Sequence, residues 1–404
     1  MLRFIVNLCR LPNFMAHRII ALMFSFSCGN HGKKLNLSDV RDDGYVYGYG
    51  GTAEGDRLKD IENLYGSSHA DHLEGDEGRN KLEGWKGDDT LIGGAGNDTL
   101  IGGAGDDTLI GGADDDILID DGIGKNSFDG GEGTDTVSYA GAEGLVYIDL
   151  GLNSSGLLLG ARGDSYNSIE NVIGSDHTDF IFGTDGNNTF EGGKGADFIL
   201  GRDGIDAVSY QASDEGVHVN LSGLGNQDDA GGGGLGGDAE GDRLDNIENL
   251  IGSNYADTLI GDQEGNVLNG SAGNDTLEGR GGANTLIGGS GNDIFVLDNV
   301  GYTNVLEDIA LSGDMIVVAD FENGIDKIRI EVSFDDVNTL DSIQEDTGLE
   351  WRQDDDDVVL QLSDEILFFG FPISLNADVL RIENFSLADL TVDDFDLSVV
   401  SDLV

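Results

Sequence analysis

The chain has 404 residues, 65 of them Gly and only 2 Pro, and its 78 Asp plus Glu against 21 Lys plus Arg give a formal net charge of −57. A polyanion of this density repels nucleic acid and suits cations and solubility outside cells. Cys9 and Cys28 are the only cysteines, so the body of the chain has neither a disulfide framework nor thiolate zinc sites, and no apolar run reaches the ~18 residues that span a bilayer.

Residues 1–40 differ from the rest. Arg3, Arg10, Arg18, Lys33 and Lys34 meet no acidic residue before Asp39, and an apolar stretch covers 19–27. Two readings of this segment stand side by side: a signal-like export or membrane-surface element, interrupted by Pro12, Asn13, His17 and Arg18, or a start foreign to the native protein.

From residue 41 onward, internal repetition dominates. The phrase Gly84-Trp-Lys-Gly-Asp-Asp-Thr-Leu-Ile92 recurs without a gap at 93–101 and 102–110. Looser copies extend it to eight units in 66–138, with one inserted residue near Asp120, then four units in 174–209 and five in 252–296. Place eight of the phrase is always large and apolar. Place six is Asp in twelve units and Asn in five, namely Asn80, Asn126, Asn188, Asn266 and Asn284. A longer phrase of the form Gly-Asp-x-x-x-x-Ile-Glu-Asn precedes each run, at 55–63, 163–171 and 241–249. Val-Ser-Tyr links end the first two runs at Tyr139 and Tyr210, and alternating segments at 145–150 and 217–221 read as short strands. The glycine stretch 231–237 reads as a loop. The divisions are therefore 41–140 (linker and first run), 141–210 (β linker and second run), 211–297 (β linker and third run) and 298–404. In the last, glycine thins out and strands are expected at 314–328, 358–362, 366–369 and 379–382.

The nonapeptide carries its own chemistry. Its glycines permit a tight turn with positive φ, which points backbone carbonyls to one side, and the place-six carboxylate closes the ring. An all-oxygen cage suits a hard cation of flexible coordination, Ca2+ rather than Zn2+ or Mg2+. The last three residues form a short strand whose period of two sends place eight inward and leaves places seven and nine outside.

These units resemble the glycine-rich nonapeptide repeats of RTX proteins, the hemolysin-type calcium-binding family. The resemblance implies an all-β fold, a right-handed parallel β-roll or β-helix solenoid in which two nonapeptides complete one coil, with calcium held between a loop and the loop two units later. Carried over residue by residue, the implied ligands are Asp71, Asp89, Asp98, Asp107, Asp116, Asp135, Asp179, Asp197, Asp206, Asp257, Asp275 and Asp293. The five Asn places depart from the motif and imply weaker sites, and Asp114 stands where place four is usually glycine. Residues 298–404 resemble the β-rich C-terminal domain of proteins exported by type I secretion, with an uncleaved signal at about 382–404.

The expected partners are multiple calcium ions, the type I secretion machinery, and a cell surface or extracellular matrix, with no nucleic acid and no transmembrane span. The expected location is secreted or extracellular. No His-Glu-x-x-His or Gly-x-Ser-x-Gly motif occurs, so no enzymatic activity is expected of this chain. His69 and His72 read as solvated, 354–357 as an acidic turn, and Trp351 with Phe368, Phe369 and Phe371 as core. The leading functional expectation is a secreted repeat protein that folds on binding extracellular Ca2+, with structural, surface or matrix duties. The alternative is the C-terminal repeat and secretion portion of a larger RTX protease, lipase, epimerase or toxin.

Overall fold

The computed structural model describes residues 61–120, 123–152, 163–222 and 232–298, with shorter stretches between 5 and 58 and between 316 and 399. The chain divides into two compact units, 1–204 and 205–404.

In the first unit, successive nonapeptides enter two parallel sheets alternately. Lys81–Lys86, Thr99–Ala104, Ile117–Ile119 and Thr136–Ser138 pair in one, with Leu82, Leu100, Leu118 and Val137 in register. His72–Glu74, Thr90–Ala95, Thr108–Ala113 and Ser127–Glu132 pair in the other, with Leu73, Leu91, Leu109 and Phe128 in register. Each strand thus bonds to the strand two units on, and two units make one coil of a parallel β-roll. The period of two decides which side chains go inside. Place eight is 0–1% exposed in every unit, from Leu73 to Phe295, and each buried Leu or Phe contributes about 1.5–3 kcal/mol.

Strands in the centre of the first run are longer than the expected three residues. Thr90–Ala95, Thr99–Ala104 and Thr108–Ala113 continue through the next two glycines. The second of those glycines has φ of +117, +92 and +124 at Gly94, Gly103 and Gly112, and a Cβ on Gly103 would collide with the Trp85 carbonyl of the coil before. At Gly103 the turns stack too closely for any residue but glycine.

The long phrase is itself a coil. Ser165–Asn167 continues one sheet, with Tyr166 opposite Phe128, and Asn171–Ile173 continues the other, with Val172 opposite Val137. Thr189–Glu191 follows on the latter. Tyr147–Asp149, Phe180–Phe182 and Phe198–Leu200 form a further parallel ladder.

The second unit repeats the plan. Asn249–Ile251, Val267–Asn269 and Thr285–Ile287 ladder together, as do Thr258–Ile260, Thr276–Glu278 and Ile294–Asp298. Both ladders run on past residue 298, where the nonapeptide stops: Ile316–Val318 pairs with Thr285–Ile287, and Lys327–Val332 with Ile294–Asp298. Val318 and Ile328 are fully buried, so the inward apolar position outlasts the glycine pattern. The glycine stretch expected to be a loop is instead a strand. Gly232–Leu235 pairs antiparallel with His218–Asn220 and with Arg243–Asp245. It is packed so closely that a Cβ on Gly232 would lie 2.8 Å from the Leu221 Cα, and one on Gly234 would lie 2.5 Å from the Ala239 carbonyl oxygen.

Toward the C-terminus, Leu349–Asp354 and Asp357–Leu362 form a hairpin that Ala377–Ile382 extends, while Glu365–Phe368 and Phe371–Ser374 form another. Phe395–Val399 pairs with Lys327–Val332. At the N-terminus, Ile5–Asn7 and Met23–Ser25 pair in parallel with each other, and the latter with Asn63–Ser67. Most of the signal-like stretch 19–27 and of the secretion segment 382–404 lies outside the described residues. Among the described residues, no helix is long and apolar enough to cross a membrane.

Candidate metal centre

Every place-six side chain is buried, at 0–4% exposure. The strand that follows it carries the chain inward, and the tight turn before it brings the carboxylate back over the loop. The carboxylates line up in ladders rather than meeting at one centre. In one column the Asp71 N–H donates to Asp89 Oδ1 at 2.6 Å, Asp89 to Asp107 at 2.7 Å, Asp107 to Asn126 at 2.8 Å, and Asn126 to Asp164 at 2.7 Å. In the other, the N–H of Asn80, Asp98 and Asp116 donates to Asp98, Asp116 and Asp135, and that of Asp135 to Glu170 Oε2. Asp179 and Asp197 form a ladder that starts at the Val146 N–H. Asp257, Asp275, Asp293 and Asp326 form one that starts at the Val217 N–H. Asp206 stands over Glu248, its N–H donating at 2.7 Å.

The second carboxylate oxygen separates the units. Oδ2 of Asp89, Asp98, Asp116, Asp135 and Asp275 is buried with no hydrogen-bond partner. In each case it faces the place-one glycine of its own unit, where a Cβ would fall on the oxygen, as at Gly84, Gly93, Gly111 and Gly270. The same imaginary Cβ would lie 2.7, 2.6, 2.6 and 2.8 Å from the carbonyl oxygens of Gly102, Gly111, Gly130 and Gly288, two units on. A glycine-floored space in which a lone carboxylate oxygen and a carbonyl oxygen converge is a cradle for a hard cation.

Electrostatics agree. Burial pushes the carboxyls of Asp89, Asp116 and Asp275 from 3.8 up to about 7, and those of Asp98 and Asp135 to about 6. The ladder N–H opposes the rise, and neighbouring carboxylates add to it: Asp107 and Asp71 beside Asp89, Asp98 and Asp135 beside Asp116. Among the described residues, no three His, Cys, Asp or Glu side chains gather into a cluster able to hold a metal, because each unit supplies one carboxylate and the remaining oxygens are backbone. Asn284 shows those backbone oxygens at work: its Nδ2 donates to the carbonyls of Gly281, Gly282 and Arg280 at 3.0, 3.1 and 3.4 Å.

Other units are satisfied from within. Ser67, Ser175 and Ser253 bond the carboxylates of Asp71, Asp179 and Asp257 through both N–H and hydroxyl. The Tyr139 hydroxyl lies 2.9 Å from Asp164 Oδ2 and 2.6 Å from the Tyr166 hydroxyl, and Tyr210 donates to Asp242 Oδ2 at 3.0 Å. Asp164, Glu170, Glu248 and Asp326 therefore act as place-six residues outside the nonapeptide runs, which the nine-residue period hides. The signal for Asp164, Glu170 and Glu248 was the Gly-Asp and Ile-Glu-Asn of the long phrase, whereas Asp326 lies beyond every copy of it. His69 and His72 stand apart from the ladders, next to the Ser68 hydroxyl and the Glu74 carboxylate.

The RTX calcium-binding nonapeptide repeat (4 copies) family matches residues 65–100, 92–119, 173–208 and 260–295. The chain carries RTX calcium-binding nonapeptide repeats over these residues. No curated protein sequence matches it. Solved structures similar to it include the extracellular lipase LipA from Serratia marcescens, at 15% identity over 86% of this chain and 41% of the lipase. The TM-score is 0.19, so the lipase carries no argument about this RTX chain, which spans well under half of the lipase's length.

Proposed function

We propose that this RTX protein is exported and folds where it meets extracellular calcium, serving a structural, surface or matrix role with no catalytic step of its own. The supporting observation is the set of buried, unpartnered Oδ2 atoms of Asp89, Asp98, Asp116, Asp135 and Asp275. Bound calcium supplies the positive charge and flexible oxygen coordination that these cradles match. The chain's own residues do the rest. Place-one glycines keep the cradles open, the N–H ladder orients each carboxylate, and place-eight side chains seal the interior once the coils stack. Before that, a net charge of −57 opposes compaction, which keeps the chain extended for a type I exporter, with 382–404 as the proposed signal. A body without cysteine fits that route. Circular dichroism of the full chain, titrated with CaCl2 from calcium-free buffer, tests the proposal. The β spectrum is expected to appear with Ca2+ and not with equimolar Mg2+; a β spectrum already complete without calcium sinks it.

A further inference from the structure

We infer that each of the three repeat runs opens with one coil that its own chain closes to calcium, so that Asp71, Asp179 and Asp257 are hydrogen-bond acceptors and not ion ligands. The inference rests on the calcium reading above and concerns which units it applies to.

The first unit of each run has Ser at place two. Ser67 brings its N–H to 2.5 Å and its hydroxyl to 2.9 Å from Asp71 Oδ2. Ser175 brings its N–H to 2.6 Å from Asp179 Oδ2 and its hydroxyl to 3.0 Å from both oxygens. Ser253 brings its N–H to 2.6 Å from Asp257 Oδ2 and its hydroxyl to 2.8 Å from Oδ1. The second unit closes in the same way on an amide. The place-two N–H of Asp76, Thr184 and Asp262 donates to Oδ1 of Asn80, Asn188 and Asn266 at 2.7, 2.7 and 2.9 Å. Two units make a coil, so one whole coil per run has N–H and O–H donors directed at the oxygens an ion would need. Donors present their positive ends to those oxygens and occupy lone pairs that an ion would use, which opposes a cation there.

What separates closed from open units is the place-two backbone. In the open units Trp85, Gly94, Gly112, Gly131 and Ser271 have φ of 81, 117, 124, 108 and 70, whereas none of the six closed units has a left-handed residue there. Ser271 shows that conformation decides and residue type does not. It is Ser, like Ser67, yet its N–H donates to Asn269 Oδ1 and its hydroxyl to the Gly252 carbonyl, and Asp275 Oδ2 is left unpartnered.

The test counts calcium retained by the full-length protein after gel filtration, by atomic emission, alongside the circular dichroism signal. Nine aspartates follow a left-handed place-two residue: Asp89, Asp98, Asp107, Asp116, Asp135, Asp197, Asp206, Asp275 and Asp293. The wild-type count is therefore expected not to exceed nine. A triple variant Asp71→Asn, Asp179→Asn, Asp257→Asn is expected to retain as many ions as wild type. Asn already holds the closed loop at Asn80, Asn188 and Asn266, so the fold is kept. The matched triple Asp98→Asn, Asp116→Asn, Asp275→Asn is expected to lose ions. Loss of ions from the first triple overturns the inference, as does a wild-type count above nine, which decides the matter without any variant. A wild-type protein that retains no calcium refutes the calcium reading itself, a result distinct from either.

Discussion

Acid should change the stability of the rolls in opposite directions without calcium and with it. In calcium-free buffer the carboxyls of Asp89, Asp116 and Asp275 sit near 7 and those of Asp98 and Asp135 near 6, against 3.8 for an ordinary aspartate. The folded state then binds more protons than the unfolded state, so this contribution is fully present below 3.8 and is lost as pH rises through about 6 to 7. By linkage, moving from about pH 7.5 to about pH 5 stabilises the ion-free fold by about 2.5 kcal/mol for each of the first three groups and about 1.4 for each of the other two. Mutual repulsion within the ladders makes their total an upper limit, on the order of 10 kcal/mol, comparable to the whole stability of a typical domain. With saturating calcium the same carboxylates are held ionised, the folded state binds fewer protons, and acid must destabilise. Urea unfolding followed by circular dichroism at the two pH values, in calcium-free buffer and in CaCl2, reads both slopes. Slopes of the same sign in the two buffers would refute the placement of these carboxylates in buried cation cradles.

Two further outcomes follow from the packing and the links. Leu100→Ala removes a fully buried side chain held in register with Leu82 and Leu118, and should cost about 2–5 kcal/mol in calcium-saturated urea unfolding. Ile101→Ala on the outer face should cost far less, and equal costs would contradict the inward–outward assignment. Tyr139→Phe strips the buried hydroxyl that donates to Asp164 and should cost about 1–3 kcal/mol. Tyr147→Phe, on a half-buried ring, serves as the control and should change little.

Place six and place eight were legible because they repeat every nine residues and because burial and ligation each accept only a narrow choice of side chain. Leu73 to Phe295 could be assigned inward before any coordinates. The coils made by Ser165–Asn167 and Asn171–Ile173 were not legible as such, because their period is broken and the carboxylate alternates between Asp164 and Glu170. Gly232–Leu235 reads as a loop by composition, and only the closeness of Leu221 and Ala239 explains why a strand there must be glycine. The difference between Asp71 and Asp89 was out of reach for another reason. Ser67 and Trp85 are visible in the sequence, but the sign of φ at place two is set by the stacked turns and not by residue type, as Ser271 shows.

The two-unit coil also makes the chain sensitive to parity. Since Leu82 pairs with Leu100 and Leu91 with Leu109, adding or deleting eighteen residues leaves every later strand in its own sheet, whereas nine residues would transfer each later unit to the opposite sheet. Growth and loss of such an array by genetic duplication should therefore be tolerated in even steps. Where an odd step has occurred, an irregular stretch like the long phrase, which supplies a strand to each sheet, offers a place to restore the alternation.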